Sequence, residues 1–225
     1  MCGTIQSVFE RFFGRIMIME KFRIFLSSIL AGMAIAIGGI ANLTLENKVA
    51  GAIFFTAGLF TVCVFGFHLF TGKVCYVFEN KAGYIIDLIV IWLGNLAGAV
   101  ITGFLVLQTR ISGINEKAVT MASAKLSQSP LSVFILGIFC NIMIYIAVEG
   151  YRSSKHEIGK YLALFFGVTV FVLCGFEHCV ANMFYLTMAN AWDAKALIFI
   201  LINTAGNIVG GILIPAVRLV INRKE

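Results

Sequence analysis

Six long stretches of nearly continuous apolar residues, at roughly 24–43, 49–70, 84–107, 130–148, 161–188 and 196–220, organise this 225-residue chain. Each approaches or exceeds the ~20 residues that a helix needs to cross a hydrocarbon core about 30 Å thick. The pattern therefore predicts an all-α membrane protein with six transmembrane helices. Two of the six are interrupted in the same way. Gly66-Phe67-His68-Leu69-Phe70-Thr71-Gly72-Lys73 breaks the second, and Gly175-Phe176-Glu177-His178-Cys179-Val180-Ala181-Asn182 breaks the fifth. In each, a Gly-Phe pair is followed by polar or ionisable groups, and a tyrosine lies ten residues past the glycine, at Tyr76 and Tyr185. Paired interruptions at matching places in two halves point to a binding site near the bilayer midplane of an inverted-repeat transporter or channel.

The repetition extends further. Gly94-Asn95-Leu96-Ala97-Gly98 in the third span returns as Gly206-Asn207-Ile208-Val209-Gly210 in the sixth. The interval between these two segments is nearly the same as that between the two interruptions. Three spans per unit reverse the direction of the second unit. The expected fold is thus two inverted three-helix repeats with helices two and five broken. Small residues four apart let helix backbones approach closely in lipid, so the two GxxxG segments also read simply as packing faces.

Composition strengthens the membrane reading. Hydrophobic residues make up 60% and charged residues 12% of the chain, against about 25% charged in soluble domains. The net charge of +6 is spread over short loops and reads as a topology signal rather than a nucleic-acid surface. With the N-terminus in the cytoplasm, twelve of the 17 Lys and Arg residues fall inside, and only Lys48, Arg110, Lys117, Lys125 and Lys195 fall outside. Both termini are therefore expected in the cytoplasm. Residues 1–23 read as an amphipathic cytoplasmic helix, 24–220 as the six-span channel domain and 221–225 as a cytoplasmic tail. The apolar face over 5–23 either rests at the lipid interface or covers the cytoplasmic mouth. No signal-peptide pattern, nucleotide-binding loop, disulfide framework or metal-ligand spacing is evident, and no cofactor is expected.

Ionisable or strongly polar groups inside spans are costly and by default face a pathway or a partner. Here they are His68, Asp87, Asn141, Glu149, Glu177, His178 and Asn182. Asp87 and Glu149 lie near span ends and read as interfacial groups. Glu177 and His178 lie well inside the fifth span. They either form a satisfied structural pair against broken-helix backbone or belong to a conduction site. His178 and Asn182 share one face of a half-helix beginning near Gly175, whose N-terminal N–H groups favour an anion. Thr71 adds a hydroxyl donor beside the other interruption. Around this centre stand Phe54, Phe55, Leu59, Leu69, Phe70, Phe165, Phe166, Phe171 and Phe176. Most are packing or lipid-facing residues, and those at the interruptions suit dewetted constrictions.

Leu69-Phe70-Thr71-Gly72, Gly94-Asn95, Cys140-Asn141 and Gly175-Phe176-Glu177-His178 continuing through Ala181-Asn182-Met183 together resemble the formate/nitrite transporter family, over nearly the whole chain. The resemblance implies a homopentamer of aquaporin-like protomers in a prokaryotic cytoplasmic membrane, each with its own pore for small monovalent anions or their acids, such as formate, nitrite or hydrosulfide. It implies that His178 is the central pore histidine near Thr71, supported by Asn141 and Asn182. It further implies that Leu69, Phe70 and Phe171, with Phe55, Leu59 and Ile144, form the constrictions, and that Lys125 draws anions into a vestibule. One departure stands out: an acidic residue is common before Leu-Phe-Thr in the family, and this chain has His68.

The function expected is a channel or transporter for small anions, formate first, that cross as neutral acids with His178 managing the proton. A neutral-solute channel for water or glycerol is the alternative, although aquaporin-type Asn-Pro-Ala pairs are absent and the prolines are Pro130 and Pro215. A membrane enzyme built on His178 and Glu177 lacks any nucleophile–base set or metal cluster around them.

Overall fold

The computed structural model describes residues 2–222, with side chains from residue 19 onward. The amphipathic face expected over 5–23 therefore lies largely outside the described residues. Among the described residues the protein is all-helical: α1 (Cys2–Thr44), α2 (Lys48–Phe65), α3 (Phe70–Lys73, extended by a 3-10 turn over Val74–Glu79), α4 (Tyr84–Leu107), α5 (Asn115–Leu126), α6 (Pro130–Ser153), α7 (Glu157–Leu173), α8 (Cys179–Met188) and α9 (Ala194–Ile221). Five helical segments are long and apolar enough to cross a membrane: Met19–Thr44, α2, α4, α6 and α9. The fifth apolar stretch is shared between α7, of 17 residues, and α8, of 10.

Local chemistry sets the boundaries. Asn47 caps α2 by accepting from the Val49 and Ala50 N–H groups, Ser129 caps α6 ahead of Pro130, and Asp193 caps α9 through Ala196. Each cap satisfies donors that the first helical turn leaves without an internal partner. At the ends of α2 and α7 the chain leaves the helix through Gly66 and Gly175, both at φ +69°. Side-chain-bearing residues adopt that conformation at a cost, and glycine does not. Phe67 N–H then returns to Val62 C=O and Phe176 N–H to Phe171 C=O, the same closure twice.

α1 packs along α4, and α6 packs along α9, through the glycines of the two GxxxG segments. A Cβ on Gly98 would lie 2.1 Å from Ile29 C=O, and one on Gly210 would lie 2.1 Å from Ile138 C=O. Ile29 and Ile138 are separated by the same stretch of chain as Gly66 and Gly175. In lipid no hydrophobic drive pushes helices together, so this close backbone approach supplies the dispersion contact that does.

One element departs from the sequence expectation. Residues between the third and fourth apolar stretches form the amphipathic helix α5, with Ala118 and Ala122 buried and packed toward α8. α5 carries Lys125 to the interior.

Candidate functional site

The segments 66–69 and 174–178 bring backbone polar groups into the protein interior, where water cannot satisfy them. Two asparagines do so instead. Asn95 accepts from Phe70 N–H at 2.8 Å and donates to His68 C=O at 2.9 Å and Ser28 C=O at 2.7 Å. Asn207 accepts from Cys179 N–H at 2.9 Å and donates to Glu177 C=O and Gly137 C=O, both at 2.8 Å. Partner for partner, the second set repeats the first: Cys179 answers Phe70, Glu177 answers His68 and Gly137 answers Ser28, each displaced along the chain as Gly175 is from Gly66. Asn203 adds a second donor to Glu177 C=O at 2.6 Å. All three asparagines are fully buried.

Held between these segments is His178, 2% exposed. Its Nδ1 caps α8 by accepting from Ala181 N–H at 3.1 Å, and its Nε2 lies 3.0 Å from Thr71 Oγ1. With Nδ1 an acceptor, the neutral ring carries its hydrogen on Nε2 and donates it to Thr71. The Thr71 hydroxyl hydrogen is then free to point at another acceptor. Asn141 donates to Thr71 C=O at 3.1 Å, and its Oδ1 has no partner among the described residues.

Glu177 is 1% exposed and fully engaged. It accepts from Lys125 Nζ at 2.6 Å, Gln128 Nε2 at 2.7 Å and Asn182 Nδ2 at 2.7 Å. Asn182 donates also to Asn203 Oδ1 at 2.8 Å. A buried carboxylate is tolerable under these conditions, with a cation and neutral donors covering its oxygens.

Two cavities open on either side of this centre. One, of about 330 Å³, is lined by Phe55, Phe171, His178, Asn182, Tyr185 and the lysines Lys48, Lys117 and Lys125. The other, of about 200 Å³, is lined by Leu59, Leu69, Lys73, Tyr76 and Arg152. They are images of each other. Gly66, Phe67, Leu69, Lys73 and Tyr76 border the second, and their counterparts under the repeat, Gly175, Phe176, His178, Asn182 and Tyr185, border the first. Phe55 and Leu59, one turn of α2 and roughly 6 Å apart along its axis, face different cavities. With Leu69 and Phe171 they form a dry stretch in which no side chain is more than 3% exposed. Phe171 meets Phe55 edge-on at 5.7 Å and stacks on the His178 ring at 5.6 Å.

The second cavity opens beside a group of charges. Arg152 makes a two-pronged contact with Glu79 at 2.9 and 3.0 Å, reaches Glu149 at 3.1 Å and lies over the Tyr76 ring at 4.3 Å. The guanidinium holds the Glu79 carboxyl below its usual range by hydrogen bonding.

The structure thus gathers His178, Thr71, Asn141, Asn182, Glu177 and Lys125 at one place, with Phe55, Leu59, Leu69 and Phe171 beside them. Phe70 turns instead toward an apolar groove with Leu88 and Trp92, and buried Ile144 lines neither cavity. His68 bonds Ser27 Oγ through both its ring Nδ1, at 2.7 Å, and its backbone N–H, at 3.2 Å. Asp87, expected at an interface, pairs with Lys21. From sequence, Asn95 and Asn207 are named only within the repeated glycine segments and given no bonding role, and Asn203 and Gln128 are passed over. The three asparagines are visible as amides deep in apolar spans.

The chain is similar to known proteins over most of its length. The family model described as "Formate/nitrite transporter" matches residues 14–221. The formate channel FocA of Haemophilus influenzae is 30% identical over 190 residues, covering 75% of this chain and 67% of that protein. A probable formate transporter of Methanothermobacter thermautotrophicus is 29% identical over 237 residues, covering 86% of each. Among solved structures, a pentameric formate channel with formate bound superposes with a TM-score of 0.79 at 27% identity, over 91% of this chain and 98% of that one. A structure described as "FNT family ion channel", 22% identical over 90% of this chain and 91% of that one and also at a TM-score of 0.79, shares the fold. The repeated interruptions, the buried histidine between two cavities and the extent of these similarities lead to one conclusion: the chain belongs to the formate/nitrite transporter family.

Proposed function

We propose that this chain is a six-span channel for small monovalent anions, formate first, with nitrite and hydrosulfide of the same class, and that each anion crosses the dry stretch as its neutral acid. The observation that carries the reading is a single imidazole, His178, at the edge of an apolar barrier separating two cavities. Protonating a small carboxylate of pKa about 3.5 at pH 7 costs roughly 5 kcal/mol. Moving the bare ion through an apolar passage costs at least several kcal/mol, and about 20 kcal/mol in the limiting case of a passage that neither relaxes nor admits water. Neutral passage is the cheaper route. His178 manages the proton: the ring takes a second proton as an anion arrives beside it, passes it to the anion, and returns to the neutral form that caps α8. Interrupting the cap costs only about 0.5–2 kcal/mol. Thr71, Asn141 and Asn182 hold the centre in register, and Lys48, Lys117 and Lys125 draw anions toward it, with Glu177 offsetting part of that charge.

The architecture proposed alongside is two inverted three-helix halves with helices two and five broken. The matching of cavities, asparagine bonds and glycine turns between the halves supports it. A homopentamer with one pore per protomer follows the pentameric relative. Lysine and arginine placement supports both termini, with residues 1–23 and 221–225, on the cytoplasmic face of a prokaryotic inner membrane. Formate flux and current are measured together in reconstituted vesicles and planar bilayers. Flux that rises as pH falls, with little net current, is expected. A formate-carried current of matching size would refute neutral passage, and glycerol permeation in place of formate would favour the neutral-solute reading.

A further inference from the structure

The two cavities correspond residue by residue, but their charges do not. Where the first has Asn182, its amide committed to Glu177 and Asn203, the second has Lys73. Lys73 is half-buried, and its ammonium lies within bonding distance of no carboxylate among the described residues. The other cation bordering that cavity, Arg152, is matched by Glu79 and Glu149. Lys73 also sits one turn beyond Leu69, its N–H bonded to Leu69 C=O at 2.8 Å, and so stands at the rim of the dry stretch. An unmatched cation against apolar walls concentrates positive potential, which small anions seek.

We propose that Lys73 forms a binding site for one small monovalent anion in the second cavity, where the ion waits until it takes a proton from the adjoining aqueous compartment and crosses as the neutral acid. The inference rests on the anion-channel reading above and adds to it a loading site opposite the His178 side. Nothing comparable stands at the image position, so the two mouths load differently.

The test uses the full chain in vesicles sorted by orientation, with formate supplied to one side at a time. Lys73→Gln is expected to raise the half-saturating formate concentration on the Lys73 side on the order of tenfold, and to leave the His178 side within about twofold. Added salt is expected to weaken loading in the wild type and to have little effect in Lys73→Gln, because screening acts on the charge that was removed. Lys73→Arg is expected to behave like wild type. Unchanged loading in Lys73→Gln, an equal shift on both sides, or a Lys73→Arg variant as impaired as Lys73→Gln would each overturn the site while leaving the channel reading intact. A wild-type chain that moves no formate would overturn both.

Discussion

The two buried asparagines that hold the interruptions have the same bonding plan but not the same burden, and the difference sets a rank order of damage. Replacing Asn95 by Leu, which is nearly isosteric, leaves Phe70 N–H and His68 C=O with no other partner among the described residues. Ser28 C=O lies inside α1 and keeps its helical bond. Replacing Asn207 by Leu leaves Cys179 N–H alone, because Glu177 C=O retains Asn203 and Gly137 C=O retains its place in α6. An orphaned buried backbone group costs about 1–3 kcal/mol. Asn95→Leu should therefore cost about 2–6 kcal/mol and Asn207→Leu about 1–3 kcal/mol. Polar side-chain bonds in membrane proteins average only about 0.6 kcal/mol, since the alternative state finds new partners. Backbone groups outside a helix in an apolar interior have no such recourse. Unfolding midpoints of the purified protein in detergent, monitored by tryptophan fluorescence, test the order. Equal midpoints, or a larger loss for Asn207→Leu, would refute the orphan count.

His178→Asn should keep the cap on α8, since asparagine caps as well as any residue, and lose the pH dependence of formate flux; His178→Phe should lose the cap as well, lowering stability by about 1 kcal/mol. A pH profile from 5 to 8 beside a melting curve separates the two effects. Breaking the buried Lys125–Glu177 pair from one side, by Glu177→Gln or Lys125→Met, should cost about 3–5 kcal/mol, and the double variant should recover part of it; a double-mutant cycle reads the coupling directly. Gly98→Ala and Gly210→Ala should each destabilise by about 1–3 kcal/mol, because a backbone oxygen cannot yield to the new methyl group. Gly113→Ala, with nothing within 4 Å, should be neutral in the same melting assay.

Much of this is legible in the chain. Hydropathy locates the long apolar helices, and the glycines at 66 and 175 mark where α2 and α7 end. What hydropathy misses is α5. Asn115–Leu126 is too polar to register as a span, and its small buried face, Ala118 and Ala122, leaves little apolar signal. Without α5 the pairing of Lys125 and Gln128 with Glu177 stays hidden, a contact across about 50 residues of chain that no local pattern encodes. Phe70 shows a different limit. A helix restarting at that residue turns adjacent side chains about 100° apart, so Phe70 and Thr71 face different surroundings. The bonds of Asn95 and Asn207 are within reach of sequence, because an amide repeated in two apolar spans calls for partners.

Leu69 is the image of His178 under the internal repeat, so a nearly twofold scaffold holds the His178 ring off-centre. If His178 handles the proton as proposed, travellers in the two directions meet acid–base chemistry and grease in opposite sequence. Acidity in the compartment bathing the imidazole would then govern traffic both ways. Acidity at the far mouth would count only through the uncharged solute it supplies, so a pore without an energy source would still sense one compartment more keenly than the other.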